Sequence, residues 1–321
     1  MADQPQSYQE IEQEIADKPA ALARIRASRH AAKGYLALPS PRFQLMARAP
    51  GAPAKHTFHL MAQGDSWFDY FPGRDLIRCL HEDHGHVFSG PSGDSTNLAV
   101  AGSTLNDEAY GPVPTNLLGV PQSDEVSRIV ELVDRITSDK PQALLLSAGG
   151  NDVAGAEFFS FIENSRSGLQ SVNPDVVSGV LGRTFKTAYE YIIGNALKAA
   201  GANPMPIFVH GYDYPWPDGR GVLDLGLWKI GPWFDDSFNH KNYTLSAPGG
   251  LQVRHDIVRQ FIDALNVMLQ GLAQKYAGKV FYVDLRGTLK SEADWANELH
   301  PGNDGFAALA DKIDAALQLH I

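Results

Sequence analysis

The sequence predicts an α/β fold in which a five-stranded parallel sheet carries helices on both faces. Short apolar runs of strand length alternate with segments whose apolar residues recur at helical spacing. Several runs end on glycine or a small polar residue, which is typical of strands that reach the ligand-binding edge of an open α/β sheet. The five predicted strands cover residues 57–63, 97–101, 142–147, 205–209 and 280–284.

The N-terminal part of the chain is predicted to lie outside this sheet. Residues 6–33 carry a loose apolar stripe of helical spacing, and Pro19 predicts a kink or a break into two helices. Prolines and a glycine at 39–53 indicate an irregular connector. We therefore predict an N-terminal helical extension with its connector at 1–55 and a catalytic domain at 56–321.

Helices are predicted between the strands from the spacing of apolar side chains. In the segment 123–138 the apolar positions repeat at helical intervals: Val126, Ile129, Val130, Val133 and Ile136. The other predicted helices cover 75–80, 174–200 and 251–277, and a last helix follows Gly302. Together with the strands, these helices complete the alternating pattern of a parallel α/β sheet.

An aromatic-rich insertion is predicted at 211–250, between the fourth strand and the next helix. Its rings are interrupted by prolines and glycines, and it leaves the end of a strand beside the expected ligand-binding edge. Because long loops are usually functional, we interpret it as a wall or lid of a substrate pocket. The alternative is that its rings fill a local core.

The composition excludes several classes of function. With 27 basic and 37 acidic residues the net charge is −10, so we predict no nucleic-acid partner, which would need a basic surface. No apolar stretch reaches the length of a leader or a transmembrane helix, which predicts a cytoplasmic protein without a transmembrane segment. The single cysteine, Cys79, leaves no internal disulfide and no multi-cysteine metal site. The oligomeric state is left open.

Ser66 is the predicted nucleophile because it directly follows the first predicted strand. A serine hydroxyl is a weak nucleophile at neutral pH, so acyl transfer needs a base within hydrogen-bond reach and donors aimed at the developing oxyanion. Later in the chain, His300 offers a base, and Gly102 and Asn151 offer oxyanion donors. Glycine suits this role because no Cβ keeps its backbone N–H from the substrate.

Four short blocks of the chain resemble those of the SGNH/GDSL hydrolases in residues and in order. They are Gly64-Asp65-Ser66, Gly102, Gly149-Gly150-Asn151-Asp152 and His300-Pro301. The resemblance spans residues 57–320 and implies a flavodoxin-like three-layer α/β/α sandwich with serine esterase or lipase chemistry on a small-molecule or lipid ester. It implies Ser66 as nucleophile, His300 as general base, and an oxyanion hole of the Ser66 N–H, the Gly102 N–H and the Asn151 side chain. No metal and no other cofactor is expected.

One position departs from the pattern of the family. The acid that orients the histidine is usually found three residues before it, and that position is Asn297. An asparagine carries no charge with which to stabilise an imidazolium. We therefore predict Asp294 as the third catalytic residue and Glu298 as the second choice; the remaining alternative is a backbone carbonyl that orients His300.

Substrate-binding side chains are predicted next to the nucleophile and in the aromatic-rich insertion: Trp67, Tyr212, Asp213 and Trp216. Ser95, in a second Gly-Asp-Ser, has no apolar strand before it and is predicted not to be the nucleophile. His210 is a weaker candidate for the base.

Two other functions are weighed against ester hydrolysis. The cluster His81, His84 and His86 is compatible with a divalent metal and a metal-dependent hydrolase, although a solvated helix end is the preferred interpretation. The asparagine at 297 is compatible with a carbohydrate- or lipid-binding protein on the same fold with weak or no catalysis.

Overall fold

A four-stranded parallel sheet forms the centre of the protein in the computed structural model. The structure describes residues 4–49, 55–71, 73–114, 126–203, 205–224 and 229–321. The strands are β1 (Leu60–Gly64), β2 (Ala143–Ser147), β3 (Ile207–Gly211), β4 (Leu223–Asp224), β5 (Lys229–Ile230) and β6 (Val280–Asp284). The sheet has the parallel order β1-β2-β3-β6, and β4 and β5 form a separate antiparallel pair. Strands β1 to β3 are buried along their whole length, as expected for strands covered on both faces.

The predicted α/β fold with a parallel sheet is confirmed, but the predicted strand at 97–101 is not a regular strand. The backbone N–H groups of residues 98 and 100 still donate to carbonyls of β1, at 2.7 and 2.9 Å. However, the side chain of Asn97 accepts a hydrogen bond from the N–H of Ala99 (3.0 Å). Because such local bonding competes with a strand ladder, the segment follows the edge of the sheet irregularly. Within the part of the chain that the structure describes, the sheet therefore has four strands instead of the predicted five.

The helices predicted from the spacing of apolar residues are present, and a further helix, Pro41–Ala47, lies in the stretch 39–53 that was predicted to be an irregular connector. They are α1 (Tyr8–Asp17), α2 (Pro19–Lys33), α3 (Pro41–Ala47), α4 (Leu76–His84), α5 (Leu105–Tyr110), α6 (Arg128–Asp139), α7 (Gly150–Val153), α8 (Pro174–Gly179), α9 (Lys186–Ala200), α10 (Asp235–His240), α11 (Gly250–Lys275) and α12 (Asn303–His320). The predicted helix at 174–200 is confirmed as α8 and α9 with a π-helical turn, Val180–Phe185, between them. The beginning of the predicted helix at 123–138 lies outside the described residues, and its remainder is α6. Within the described residues, no helix combines the length and the hydropathy needed to cross a membrane.

The N-terminal helices pack against the rest of the chain. The predicted break at Pro19 is confirmed, because this proline opens α2. Arg29 of α2 forms a buried ion pair with Glu131 of α6 (3.0 Å), and Lys33 pairs with Asp69 (3.0 Å) in the loop after β1. These helices thus reach the loop that carries the predicted nucleophile, while the domain boundary near residue 56 stays a prediction.

Candidate active site

Ser66 lies in the tight turn that follows β1. Gly64 ends the strand where there is no room for a side chain, since a Cβ would lie 2.8 Å from the carbonyl oxygen of Ser147. The next side chain, Asp65, is buried and accepts hydrogen bonds from the N–H of Trp67 (3.0 Å) and the hydroxyl of Ser147 (3.1 Å). Ser66 itself stays partly exposed. The packing of β1 on β2 therefore presents this serine at the carboxyl edge of the sheet.

Asp65 also connects the turn to β2 and β3. The hydroxyl of Tyr212 donates to its carboxylate and accepts a hydrogen bond from the N–H of Gly150 (3.0 Å). Burial raises the pKa of Asp65 to about 6, although the hydrogen bond from Tyr212 opposes this rise. Tyr212, a predicted substrate-binding residue, thus supports the turn that holds Ser66.

His300 lies beside Ser66, with its Nε2 atom 2.7 Å from the serine Oγ. The imidazole stacks on the ring of Tyr70, with centroids 4.3 Å apart and planes 19° apart, and meets Trp233 edge-on at 5.5 Å. Only 4% of His300 is exposed. Burial lowers the pKa of His300 to about 3, so the imidazole is neutral near pH 7 and can accept a proton.

The other ring nitrogen of His300 faces Asn297. The Nδ1 atom lies 2.9 Å from Asn297 Oδ1, and the same oxygen accepts the backbone N–H groups of Leu299 and His300, each at 3.0 Å. Backbone N–H groups only donate, so the atom facing them is the amide oxygen. It follows that Nδ1 carries the proton and that Nε2 presents its lone pair to Ser66. The structure therefore places Asn297, which the sequence-based reasoning set aside, where the orienting acid was expected.

Asp294 is not brought to the histidine. Its carboxylate accepts the backbone N–H groups of Lys290 (2.7 Å) and Ser291 (2.8 Å). These hydrogen bonds from Ser291 and Lys290 lower the pKa of Asp294. This corrects the prediction of Asp294 as the third catalytic residue. Its carboxylate caps a local turn, as acids at the start of a short helix often do.

Glu298 binds the aromatic-rich segment and not the imidazole. Its buried carboxylate accepts the N–H groups of Gly219 (3.0 Å), Trp233 (2.6 Å) and Phe234 (2.9 Å). Burial raises the pKa of Glu298 to about 7, against the effect of these hydrogen bonds. Glu298 therefore connects the loop of His300 to the neighbouring segment, which corrects the second choice as well.

Gly102 and Asn151, two of the three predicted oxyanion residues, lie close together, because Asn151 binds the residue after Gly102. Gly102 has φ of +80°, a conformation that favours glycine, and no atom lies within 4 Å of the place where its Cβ would be. The side-chain amide of Asn151, in the first turn of α7, donates to the carbonyl of Ser103 (2.9 Å). An amide nitrogen carries two N–H groups, and one suffices for this hydrogen bond. The arrangement thus combines an open glycine with an anchored amide donor.

An apolar cavity of about 690 Å³, its open mouth included, begins beside Ser66. It extends between the carboxyl edge of the sheet, the π-helical turn and α11. Its apolar wall is formed by Trp67, Val153, Phe158, Leu181, Phe185, Tyr212, Pro215, Phe234, Val258, Phe261, Ile262, Leu265, Trp295 and Leu299. Such a wall suits a hydrocarbon group attached to the reacting carbonyl.

The aromatic-rich segment combines the two interpretations made from the sequence. Phe234 lines the cavity and also packs edge-on against Phe158 (4.8 Å), which in turn contacts Phe238 (5.1 Å). Trp216, predicted to bind substrate, stacks on His255 at 3.9 Å and does not line the cavity. The segment is therefore both a local core and one wall of the cavity.

Two further predicted substrate-binding residues line the cavity and hold its loops. The indole N–H of Trp67 donates to the carbonyl of Leu299 (3.0 Å), which joins the serine turn to the histidine loop. The carboxylate of Asp213 accepts the N–H groups of Tyr214 (2.8 Å), Gly287 (2.6 Å) and Leu289 (2.7 Å). With these partners, Asp213 stabilises the loop after β6, and its predicted contact with substrate stays a prediction.

Ser95, the alternative nucleophile, and the histidine cluster form hydrogen bonds that stabilise the fold. Ser95 is buried, and its hydroxyl accepts the N–H of Asn97 (3.3 Å). His84 and His86 each lie 3.0 Å from Asp314 of α12, and, despite burial, these hydrogen bonds hold the pKa of Asp314 well below its usual range. Among the described residues, no group of three or more potential ligands is arranged to hold a metal ion. The structure therefore gives no support to the metal-site interpretation.

His210, the weaker candidate for the base, is fully enclosed. It lies among Trp67, Phe68 and Tyr212, and neither ring nitrogen has a hydrogen-bond partner in the described part of the chain. Burial lowers the pKa of His210 to about 3. His210 does not line the cavity beside Ser66, and a buried imidazole without hydrogen-bond partners destabilises the fold when it is charged.

Replacing His210 by leucine is expected to stabilise the protein, and more strongly towards acid pH. The folded-state pKa of about 3 lies below the ordinary value of 6.5, so stability present above pH 6.5 is lost as the pH falls towards 3. Without the imidazole this loss disappears, which adds about 2 kcal/mol at about pH 5 relative to about pH 7. Urea unfolding of both proteins at the two pH values measures the difference; an equal difference at both would contradict the prediction.

Two side chains at the site were not identified from the sequence. Tyr70 stacks on His300 and accepts a hydrogen bond from Asn297 Nδ2 (3.1 Å), and Trp233 covers the imidazole edge. No motif marks either aromatic residue. Asn297 did carry a signal, because it lies three residues before the histidine, but its residue type argued against the role.

Comparison with protein families gives one match. The model of the family described as GDSL-like Lipase/Acylhydrolase matches residues 61–313 of the 321 residues. No match is found among curated proteins.

The chain is also similar to several solved structures at low sequence identity. Est24, a carbohydrate acetylesterase from Sinorhizobium meliloti, is 12% identical with a TM-score of 0.45, over 82% of this chain and 99% of that chain. An extracellular lipase from Streptomyces rimosus is 14% identical with a TM-score of 0.44, over 81% and 100%. A family 3 carbohydrate esterase from Clostridium thermocellum is 17% identical with a TM-score of 0.42, over 82% and 100%.

Proposed function

Because the chain belongs to the GDSL-like lipase/acylhydrolase family, whose name denotes hydrolysis of acyl esters, we propose that it cleaves carboxylic esters through an acyl-enzyme on Ser66. One observation carries the proposal: Ser66 Oγ, His300 and Asn297 form a hydrogen-bonded chain with distances of 2.7 and 2.9 Å. Ser66, at one end of this series of hydrogen bonds, lines the apolar cavity. A cytoplasmic location and the lack of a nucleic-acid partner stay predictions.

In the first half of the reaction, Ser66 Oγ attacks the ester carbonyl carbon while His300 Nε2 takes the hydroxyl proton. The carbonyl oxygen becomes an oxyanion, which we assign to the N–H groups of Ser66 and Gly102 and the amide of Asn151. The imidazolium then gives its proton to the alcohol oxygen, and the alcohol leaves. In the second half, His300 deprotonates a water that attacks the acyl-enzyme, and the carboxylic acid leaves as Ser66 regains its proton.

The neutral Asn297 changes the balance of this mechanism. It holds the proton on Nδ1 and fixes the ring, but it supplies no charge to the imidazolium that forms in the transition state. The ring face of Tyr70, 4.3 Å away, offers a weaker electrostatic contact to that cation. A base with a low pKa is a weak one, so we expect moderate turnover on unactivated esters.

The pH dependence of kcat/KM tests this environment of His300. With a pKa of about 3, the imidazole is already neutral at about pH 5, so its acid limb lies far below the ordinary histidine value. Asn297→Asp puts a carboxylate against Nδ1 and is expected to raise the pKa of His300 by about 1 to 3 units. The pH profiles of the two proteins on one non-ionising ester measure the shift. Asp65 and Glu298 also have shifted pKa values, but both proteins contain them, so they cannot cause a difference between the two pH profiles. Identical profiles would contradict the prediction.

Labelling of Ser66 tests the proposed function itself. A fluorophosphonate is expected to add once, at Ser66, as located by peptide mass spectrometry, and to abolish hydrolysis of p-nitrophenyl acetate. A binding protein without catalysis, the alternative favoured by the neutral Asn297, would neither hydrolyse the ester nor be labelled. That outcome would remove the enzyme proposal.

A further inference from the structure

A second apolar depression lies directly behind the cavity of the candidate site. This outer groove, of about 1340 Å³ including open solvent, runs between α8, the π-helical turn and α11. Leu181 lines both the cavity and the outer groove, and its side chain is only 5% exposed. The two spaces are therefore back to back, with Leu181 between them.

We infer that the outer groove receives the far end of a long acyl chain whose carbonyl lies at Ser66, and that Leu181 is the gate between the two spaces. This inference rests on the proposed function and adds to it a substrate class, esters of long-chain acids. The occupant follows from continuity: Ser66 and Leu181 both line the cavity, and Leu181 also lines the outer groove.

The lining of the outer groove suits a hydrocarbon chain. Its lining is mixed: apolar side chains such as Val177 of α8 and Met268 of α11 alternate with polar ones that include Lys186 and Lys275. Val267, which also lines the groove, is 64% exposed. An acyl chain would cover these surfaces and would gain about fourfold in kcat/KM for each methylene buried.

The backbone around Leu181 has an unusual conformation, which would allow this side chain to move. Leu181 lies in the π-helical turn Val180–Phe185, and π-turns are often found at functional sites. Gly179 and Gly182 flank Leu181, and neither has an atom within 4 Å of the place where a Cβ would lie. The leucine side chain is therefore carried by a turn with free space on its outer side.

A bulky side chain in the outer groove tests the inference without disturbing the core. Gly271 lies on α11, lines the outer groove and has open space at its Cβ position, so Gly271→Trp should fill the groove. Gly194→Trp is the matched control, because Gly194 also has open space but lies on α9 outside the groove. Leu181→Ala, which opens the gate, is a second variant.

The expected result is a change confined to long chains. In a series of p-nitrophenyl esters from acetate to dodecanoate, used below their micelle concentrations, wild type should prefer the long esters. Gly271→Trp should lower kcat/KM for dodecanoate by at least about tenfold and leave acetate unchanged, while Gly194→Trp changes neither. Leu181→Ala should raise the ratio of dodecanoate to acetate activity.

Two results would overturn the inference while leaving the proposed function intact. One is dodecanoate hydrolysis that Gly271→Trp leaves unchanged; the other is a wild type that cleaves acetate but not dodecanoate. If the protein neither hydrolyses acetate nor reacts with a fluorophosphonate, the proposed function fails instead. Calorimetric binding of hexadecanoate to Ser66→Ala, with and without Gly271→Trp, then still tests the outer groove, since binding equal in both variants would refute it.

Discussion

Ser66→Ala is expected to lower kcat on p-nitrophenyl acetate by at least about 10⁴-fold while the protein stays folded. The substitution removes the hydroxyl that lies 2.7 Å from His300 Nε2, so no acyl-enzyme can form at this position. Because Ser66 is partly exposed, the free energy of unfolding should change little. Steady-state kinetics and urea unfolding of the same preparation measure both quantities.

The matched control for this substitution is Ser95→Ala, in the second Gly-Asp-Ser of the chain. Ser95 is buried and bonded to the N–H of Asn97, so its loss should cost about 1 kcal/mol of stability and leave kcat unchanged. If Ser66 and His300 act as one unit, the double variant Ser66→Ala with His300→Ala should be no slower than either single one. Full turnover by Ser66→Ala would exclude this serine as the nucleophile.

Asn297→Ala is expected to lower kcat by about 10² to 10⁴-fold. The substitution removes the oxygen that accepts His300 Nδ1 and two backbone N–H groups, so the ring can turn and can hold its proton on the wrong nitrogen. It also leaves buried donors without partners, and the free energy of unfolding should fall by about 1 to 3 kcal/mol. Kinetics on p-nitrophenyl acetate well below the unfolding temperature separate the two effects.

Asp294→Asn is the control that distinguishes Asn297 from the acid chosen on sequence grounds. Among the contacts described, the Asp294 carboxylate binds only local groups: the N–H groups of Lys290 and Ser291 and the Ser291 hydroxyl. An asparagine oxygen can still accept these hydrogen bonds, so kcat should stay within about twofold. Asn297→Asp should keep activity at or above wild type, because a carboxylate accepts the same three hydrogen bonds and adds a charge. A large loss in Asp294→Asn with normal activity in Asn297→Ala would reverse the assignment.

The site residues that could be predicted from the sequence are those whose positions depend on local structure. Ser66, Gly102 and Asn151 each follow a short apolar run that lies in or along the sheet, and the carboxyl ends of parallel strands meet at one edge. Their proximity therefore follows from the strand pattern alone. Whether the three donors bind an oxyanion together stays a proposal.

The partners of the polar side chains depended on the tertiary structure. Asp294, Asn297 and Glu298 are close in sequence and similar in size, yet they bind a local turn, the imidazole and the aromatic-rich segment, respectively. The tertiary structure decides which of the three side chains reaches His300, because each side chain binds the backbone N–H groups that the fold places beside it. For the same reason, the carboxylate of Asp213 accepts a hydrogen bond from the loop after β6.

By itself, the sequence determined the α/β class, the order of the elements, the serine at a strand end and the histidine near the C-terminus. These follow from apolar periodicity and from residue types at strand ends, which are local properties of the chain. Only the tertiary structure decided that Asn297 contacts the histidine ring, that the sheet has four regular strands within the described residues, and that Leu181 lines two apolar spaces. Such features arise because buried polar groups and side-chain volumes must be matched by distant parts of the chain, and no local pattern records those matches.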